Sequence, residues 1–283
     1  MMGGRLYITG ALLLAALIAG CTFKSVYNRL DDLIPQYVEG VITLDATHEE
    51  LLEQRTTILL QWHRNTQLKQ YVSWLQALQQ DVGQRLTEAR LEQHLEQMDE
   101  FWLNLLIRLN DEMAELLPLL NDEQLDELFI YLDDTNAEFR EDYIDIDDEE
   151  RIAAYAEYMT DTYENWIGEL TDPQAALVEQ AATELVNTSE LRYRQRLKWQ
   201  QGIQQILKMA ESERTRRERL REFLAGFEQN DDNELSEKTR VNQNIIVRLT
   251  VRISHSMTDE QREHFIDRTG HYIRIFTELA ENR

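Results

Sequence analysis

Few residue groups in this chain have the types and spacing that chemistry requires, and the first is a lone thiol. Cys21 is the single cysteine of 283 residues. It follows Ile18-Ala19-Gly20, which closes an apolar run from Leu6 to Ile18 behind Arg5. A basic start, a short apolar stretch and small residues before a cleavage point mark an export signal. A membrane-spanning helix would need about 20 apolar residues, and this run holds thirteen. The second group is Trp62-His63-Arg64, with Tyr71 and Trp74 beyond it. As a binding surface, Trp62, His63, Arg64 and Tyr71 would supply flat apolar area and hydrogen-bond donors. As structure, they form a helical segment that buries two tryptophans and keeps a histidine at the edge of the core. His63 is the residue whose replacement would be most informative.

Other polar clusters point away from catalysis. Asp145, Asp147, Asp148, Glu149 and Glu150 gather hard oxygen ligands, but no glycine allows the sharp turn of a calcium loop. They read as an acidic helix start. Glu263, His264 and His271 lack a third ligand at metal-binding spacing. No nucleophile elbow, phosphate-cradling glycine loop or paired carboxylates can be placed on a scaffold. The expectation is a protein without catalytic residues, metal or bound cofactor.

The elements that carry these residues are helical. Beyond Gly20 the chain has very few prolines and glycines to break helices. Leu91, Leu95, Met98, Trp102, Leu105 and Leu109 recur at alternating steps of four and three, which makes one apolar seam. Ile152, Tyr155, Met159, Tyr163, Trp166 and Leu170 form a second, and Leu125, Leu128, Leu132, Phe139 and Tyr143 a third. No stretch alternates with period two, so no sheet is expected. Helix starts follow from capping phrases at Thr47 to Glu50, Asn121 to Gln124, Thr171 to Gln174 and Thr258 to Gln261, with weaker ones at Thr87 and Asp147. Residues 189–227 read as one long helix ending at the turn-prone Asn230-Asp231-Asp232-Asn233. Its Glu211 to Arg219 stretch has no large apolar residue, which predicts exposure on all sides and support from pairs such as Glu213 with Arg217. The predicted fold is all-α, a multi-helix bundle of long antiparallel helices. Residues 1–20 would be a removed signal, 21–187 an N-terminal bundle, and 188–283 a long bridging helix with a C-terminal helical portion whose core includes Ile245, Leu249, Ile253, Phe265 and Phe276.

Charge narrows the partners. The chain carries 53 acidic and 29 basic residues, a net charge of −24, and loss of Arg5 with residues 1–20 would leave −25. Nucleic acid is excluded as an expected partner, because affinity for phosphate backbones needs clustered Lys and Arg. From Asp111 to Glu150 seventeen acids face Arg140 alone, whereas Arg192 to Arg221 holds ten Lys or Arg. These segments would complement each other inside the fold, or the basic one would touch lipid headgroups or an anionic partner. An apolar content of 42% with 29% charged residues fits a folded, well-solvated body.

The segment ending in Cys21 resembles bacterial lipoprotein signals. That resemblance implies attachment of diacylglycerol to the Cys21 thiol, cleavage after Gly20 and acylation of the new amino group. It further implies a Gram-negative envelope, with Thr22 in place of an aspartate favouring export to the outer membrane and a body facing the periplasm. Together with Tyr27-Asn28-Arg29-Leu30-Asp31, Tyr37, the capped helix from Leu44 to Glu50, and Trp62-His63-Arg64 followed by Tyr71, it resembles a family of proteobacterial lipoproteins of unknown function. Phe23, Lys24, Tyr27 and Arg29 would suit a membrane interface. Leu170-Thr171-Asp172-Pro173-Gln174 is similar to the L-T-x-x-Q motif of periplasmic chaperones of the Spy and CpxP type, with near matches at Leu120 to Gln124 and Met257 to Gln261. The expected function is non-enzymatic: a membrane-anchored lipoprotein that binds or scaffolds an envelope protein or polymer. The alternatives are ATP-independent client binding and hydrolysis of envelope polymers.

Overall fold

The computed structural model describes residues 20–227 and 233–281. Most of the expected signal, the side chain of Cys21, and Asn230, Asp231 and Asp232 of the expected turn lie outside the described residues. Within them every regular element is helical. Helix α1 spans Gly20–Tyr27 and α2 Leu30–Glu39; α3, Ala46–Trp62, runs through a five-residue turn into α4, Leu68–Gly83. Then follow α5 (Glu88–Leu116), α6 (Asp122–Tyr143), α7 (Asp148–Ile167), α8 (Asp172–Glu184), α9 (Ser189–Leu207), α10 (Glu213–Phe227), α11 (Asn233–Ser256) and α12 (Asp259–Glu281).

The longest helix-on-helix contact joins α4 to α12 and is antiparallel. Leu68 clusters with Ile275 and Leu279, Leu75 with Tyr272, and Val82 shares a core with Phe265. One helix therefore descends in number as the other rises. Each of these side chains contributes roughly 1.5–3 kcal/mol by leaving water. The largest core cluster joins Val82, Leu91, Met159, Ile167 and Val178 to Ile245, Leu249, Ile253 and Phe265, so it draws on both sides of residue 187. The second predicted seam, on α7, faces this cluster along its whole length. The α5 seam is buried at Leu91 and partly buried at Leu95, Met98, Trp102, Leu105 and Leu109, with Leu103 and Ile107 exposed off its line. His94 and Phe101 are buried beside it, because α5 also serves α4 at one end and the basic α10 at the other.

Capping chemistry sets most helix starts where the sequence places them. Asn121 and Thr171 form capping boxes with Gln124 and Gln174, and Thr258 does the same with Gln261. Thr87 and Asp147 accept bonds from Arg90 N and Glu150 N. The start near Thr47 is shifted: Asp45 is the cap, its carboxylate accepting from the N–H groups of Thr47 and His48.

Residues 189–227 are two helices and not the predicted single one. Ser212 accepts a 3.3 Å bond from Thr215 N and so opens α10, and α10 folds back to bury Leu220 and Leu224 against Ile203 and Leu207. Gly202 permits the crossing, because the Phe223 ring lies where any larger residue would put its Cβ. The stretch expected to be exposed on all sides is consequently packed on one face, with Ser212, Glu213, Arg214, Glu218 and Arg219 left exposed. Arg216 donates to Pro118 O at 2.9 Å, while Arg217 and Arg221 both pair with Glu115. Arg55 and Arg108 pair with the buried Glu112. Cations of the basic segment thus meet the chain's own acidic helices.

Buried carboxamides lock these contacts. Gln174 and Gln261 donate to each other's Oε1 at 2.9 and 2.8 Å; Asn136 and Gln200 do the same at 2.7 and 3.2 Å. Asn242 clasps the backbone N–H and C=O of Val186, both at 2.8 Å. Removing one member strands its buried partner at a cost of about 1–3 kcal/mol. Gln174→Leu is therefore expected to lower the urea unfolding free energy by about 2 kcal/mol, whereas Gln180→Ala, on the exposed face of the same helix, leaves it within about 0.5 kcal/mol; equal effects would contradict this assignment.

Candidate functional site

The residues singled out around His63 lie where the rod from α3 to α4 changes its winding. His63–Gln67 is a π-helical turn: Leu68 N donates to His63 O, five residues back. Thr66 Oγ1 donates to Trp62 O at 2.7 Å and supports the widened turn. Such turns insert one residue into a helix and are frequent at functional positions. Here the widening carries the imidazole between two phenols. His63 Nδ1 lies 2.8 Å from Tyr27 OH and Nε2 lies 3.2 Å from Tyr71 OH. A neutral imidazole accepts at one nitrogen and donates at the other, so it can bond to both hydroxyls at once.

Aromatic rings close the surroundings. Tyr71 packs against Phe101 at 4.9 Å and Phe276 at 6.0 Å between ring centres, and Phe23 approaches Phe276 at 5.8 Å. The Arg64 guanidinium sits 5.3 Å from the Tyr27 ring centre and donates to Asn28 Oδ1 at 3.3 Å. Tyr27-Asn28 and His63-Arg64 therefore hold one another across 36 positions. Burial, reinforced by the Arg64 charge, lowers the His63 pKa to about 4. Burial raises Tyr27 to about 12, against the opposing effect of Arg64, and pushes Tyr71 up as well. At neutral pH the three groups are uncharged, so the arrangement is a hydrogen-bonded clasp between α1 and the rod.

Trp62 does not join the clasp. It is half-buried on another side of the rod, beside a depression of about 370 Å³ that it lines with Gln67, Gln70, Asn104, Ile107 and Arg108. The four residues expected to form an interaction surface are all partly buried; His63 and Tyr71 bond to each other, Arg64 lies over the Tyr27 ring and Trp62 lines the depression. The expected interfacial set is also changed. Tyr27 is buried, Phe23 packs on Tyr272 and Phe276, and Lys24 Nζ pairs with Glu278 at 2.6 Å, leaving Arg29 exposed. An amphipathic helix beside an apolar face of α12 buries its aromatic residues there.

A second polar cluster was not nominated by the sequence. Asp81 Oδ2 accepts from Arg90 Nε and His94 Nε2 at 3.1 and 2.8 Å, and Trp74 Nε1 donates to His94 O at 3.2 Å. Burial pushes the Asp81 carboxyl upward, but the bonds from Arg90 and His94 hold it below its ordinary value. Arg90 and His94 sit four apart on α5, a spacing that signals a shared face without revealing that the end of α4 folds onto it. The carboxylates from Asp145 to Glu150 form the acidic start of α7, with Arg140 on Asp145 and Arg151 on Asp148. Among the described residues no three His, Cys, Asp or Glu side chains converge as a metal site, and no helix is long and apolar enough to cross a membrane.

Residues 40–240 match the profile of a family of unknown function, DUF6279. The chain belongs to this family. No curated protein and no solved structure matches it. In this DUF6279 member the matched stretch supplies the rod, the π turn and the Asp81 cluster, while α1, α2, most of α11 and all of α12 lie beyond it and close on it.

The sign of the pH response follows from His63. Its folded-state pKa lies below the ordinary 6.5, so the stability associated with a neutral imidazole is complete above pH 6.5 and is lost as pH falls toward 4. The expected slope is up to about 1.4 kcal/mol per pH unit in that window. Urea titrations at several pH values should show this loss in the native chain and a shallower one in His63→Gln; parallel curves would exclude His63 as its source.

Proposed function

We propose that this DUF6279 protein is a lipid-anchored, non-enzymatic protein of the Gram-negative outer membrane that faces the periplasm and binds or scaffolds another envelope component. The observation that carries this reading is the position of Cys21. It stands at the end of the apolar run that resembles an export signal and one residue inside the first turn of α1, and two positions later Phe23 already packs on α12. A lipid on Cys21 would therefore hold the helical body against the leaflet without an intervening linker. Each methylene inserted into the bilayer adds about 0.8 kcal/mol, and several chains anchor stably where one does not. A body with net charge −25 is repelled by anionic headgroups, which makes a covalent anchor the more necessary.

The L-T-x-x-Q phrase favours scaffolding over client binding, because Thr171 and Gln174 are engaged in capping α8 and in pairing with Gln261. The half-exposed Trp62 and its depression offer the contact surface. Mass spectrometry of the native protein is expected to find a diacylglyceryl-modified, acylated Cys21 as the first residue, and Cys21→Ser should leave the membrane fraction. Crosslinking in intact cells should recover one reproducible envelope partner, several-fold less with Trp62→Ala. An unmodified thiol removes the anchor from the proposal, and recovery of no partner above background removes the scaffold.

A further inference from the structure

A cavity separate from the His63 clasp lies between the end of α4 and the α11–α12 turn. It encloses about 390 Å³ and is lined by Gln79, Val82, Arg85, His255, Arg262 and Phe265, among others. That volume falls in the range of small-molecule sites. In a chain with 53 acids against 29 bases, its lining contains two arginines and a histidine and no carboxylate. The nearest acid in sequence on α4, Asp81, is bonded to Arg90 and His94.

The backbone at Arg85 is a separate observation. Arg85 has φ +71°, and it is the only non-glycine residue with positive φ among those described. It follows the Gln84 cap of α4, where a helix ending in the left-handed region ordinarily places glycine. A side chain retained there at a backbone cost needs a use. The rim is ordered by its own bonds: His255 Nε2 donates to Leu86 O at 2.7 Å, Gln79 Nε2 to Thr269 Oγ1 at 2.6 Å, and Arg262 to Ser254 O at 3.4 Å. Val82, Phe265 and Ile266 supply apolar wall.

We propose that this cavity binds a small organic anion, a carboxylate or phosphate monoester joined to an apolar group, with Arg85 and Arg262 holding the charged end. Guanidinium groups bind both anions through paired N–H donors, and the apolar wall accepts the remainder. The carboxylates of Asp259, Glu260, Glu263 and Asp267 share α12 with Arg262 but do not line the cavity.

Isothermal titration of the full chain with phenyl phosphate and with phenylacetate, using benzyl alcohol as the uncharged control, tests this. Binding of at least one anion and not of the alcohol is expected, weakening with salt, and the stronger of the two identifies the anion class. Arg85→Gly separates function from folding: it should leave thermal stability equal or higher while weakening the anion at least tenfold, and Arg262→Gln should weaken it comparably. Absence of binding by either anion, or binding that Arg85→Gly leaves unchanged, overturns the proposal.

Discussion

An apolar seam between two helices can slide, but a buried amide that finds its partner at 2.9 Å cannot. That difference governs this molecule. Leucine and isoleucine side chains supply the attraction between α4 and α12 or α7 and α11, and it is nearly indifferent to small shifts along the axes. Gln174 with Gln261, Asn136 with Gln200, Asn242 with Val186 and Gln124 with the Thr43 carbonyl are intolerant of such shifts. Each leaves a donor or acceptor stranded in the core if the register moves. Three of the glutamines also satisfy the first N–H groups of a helix, so the same side chain decides where the helix starts and what it touches.

Electrostatic organisation follows the same inward logic. The segment from Arg192 to Arg221 looks, as a string of letters, like a strip awaiting an anionic surface. Folded back on α5 and the following turn, it places Arg216, Arg217 and Arg221 on a carbonyl and on Glu115. The strong negative balance left over belongs to α6 and the start of α7, which suits a body kept apart from its neighbours except where something specific docks.

Much of the architecture was legible beforehand because its causes are local. A threonine or asparagine three residues before glutamine caps a helix whatever surrounds it, and the α7 stripe from Ile152 to Leu170 has one neighbourly face to serve. Features that depended on distant residues were hidden. Ser212 is an ordinary serine until Leu220 and Leu224 need burial, so the break before α10 was missed. Tyr27 reads as an interfacial aromatic until α12 offers Phe276 and His63 offers a nitrogen. The π turn leaves no periodic mark, because one inserted residue is invisible against the scatter of apolar positions in residues 46–83. Arg85 carries no sign of its unusual backbone angle either, since that angle is imposed by how α4 must end.

The inserted residue between His63 and Gln67 has a consequence for how this sequence can change over time. An α-helix advances about 100° per residue, so four residues cover roughly the same arc as the five of the widened turn, and deleting one of these positions would restore ordinary winding with α4 left in phase. Leu68, Leu75 and Val82 would keep their places against α12, and the loss would fall on the turn that carries His63 between Tyr27 and Tyr71. Relatives should therefore tolerate insertions and deletions in the connection at residues 144–147 far more readily than a single lost codon between residues 63 and 67.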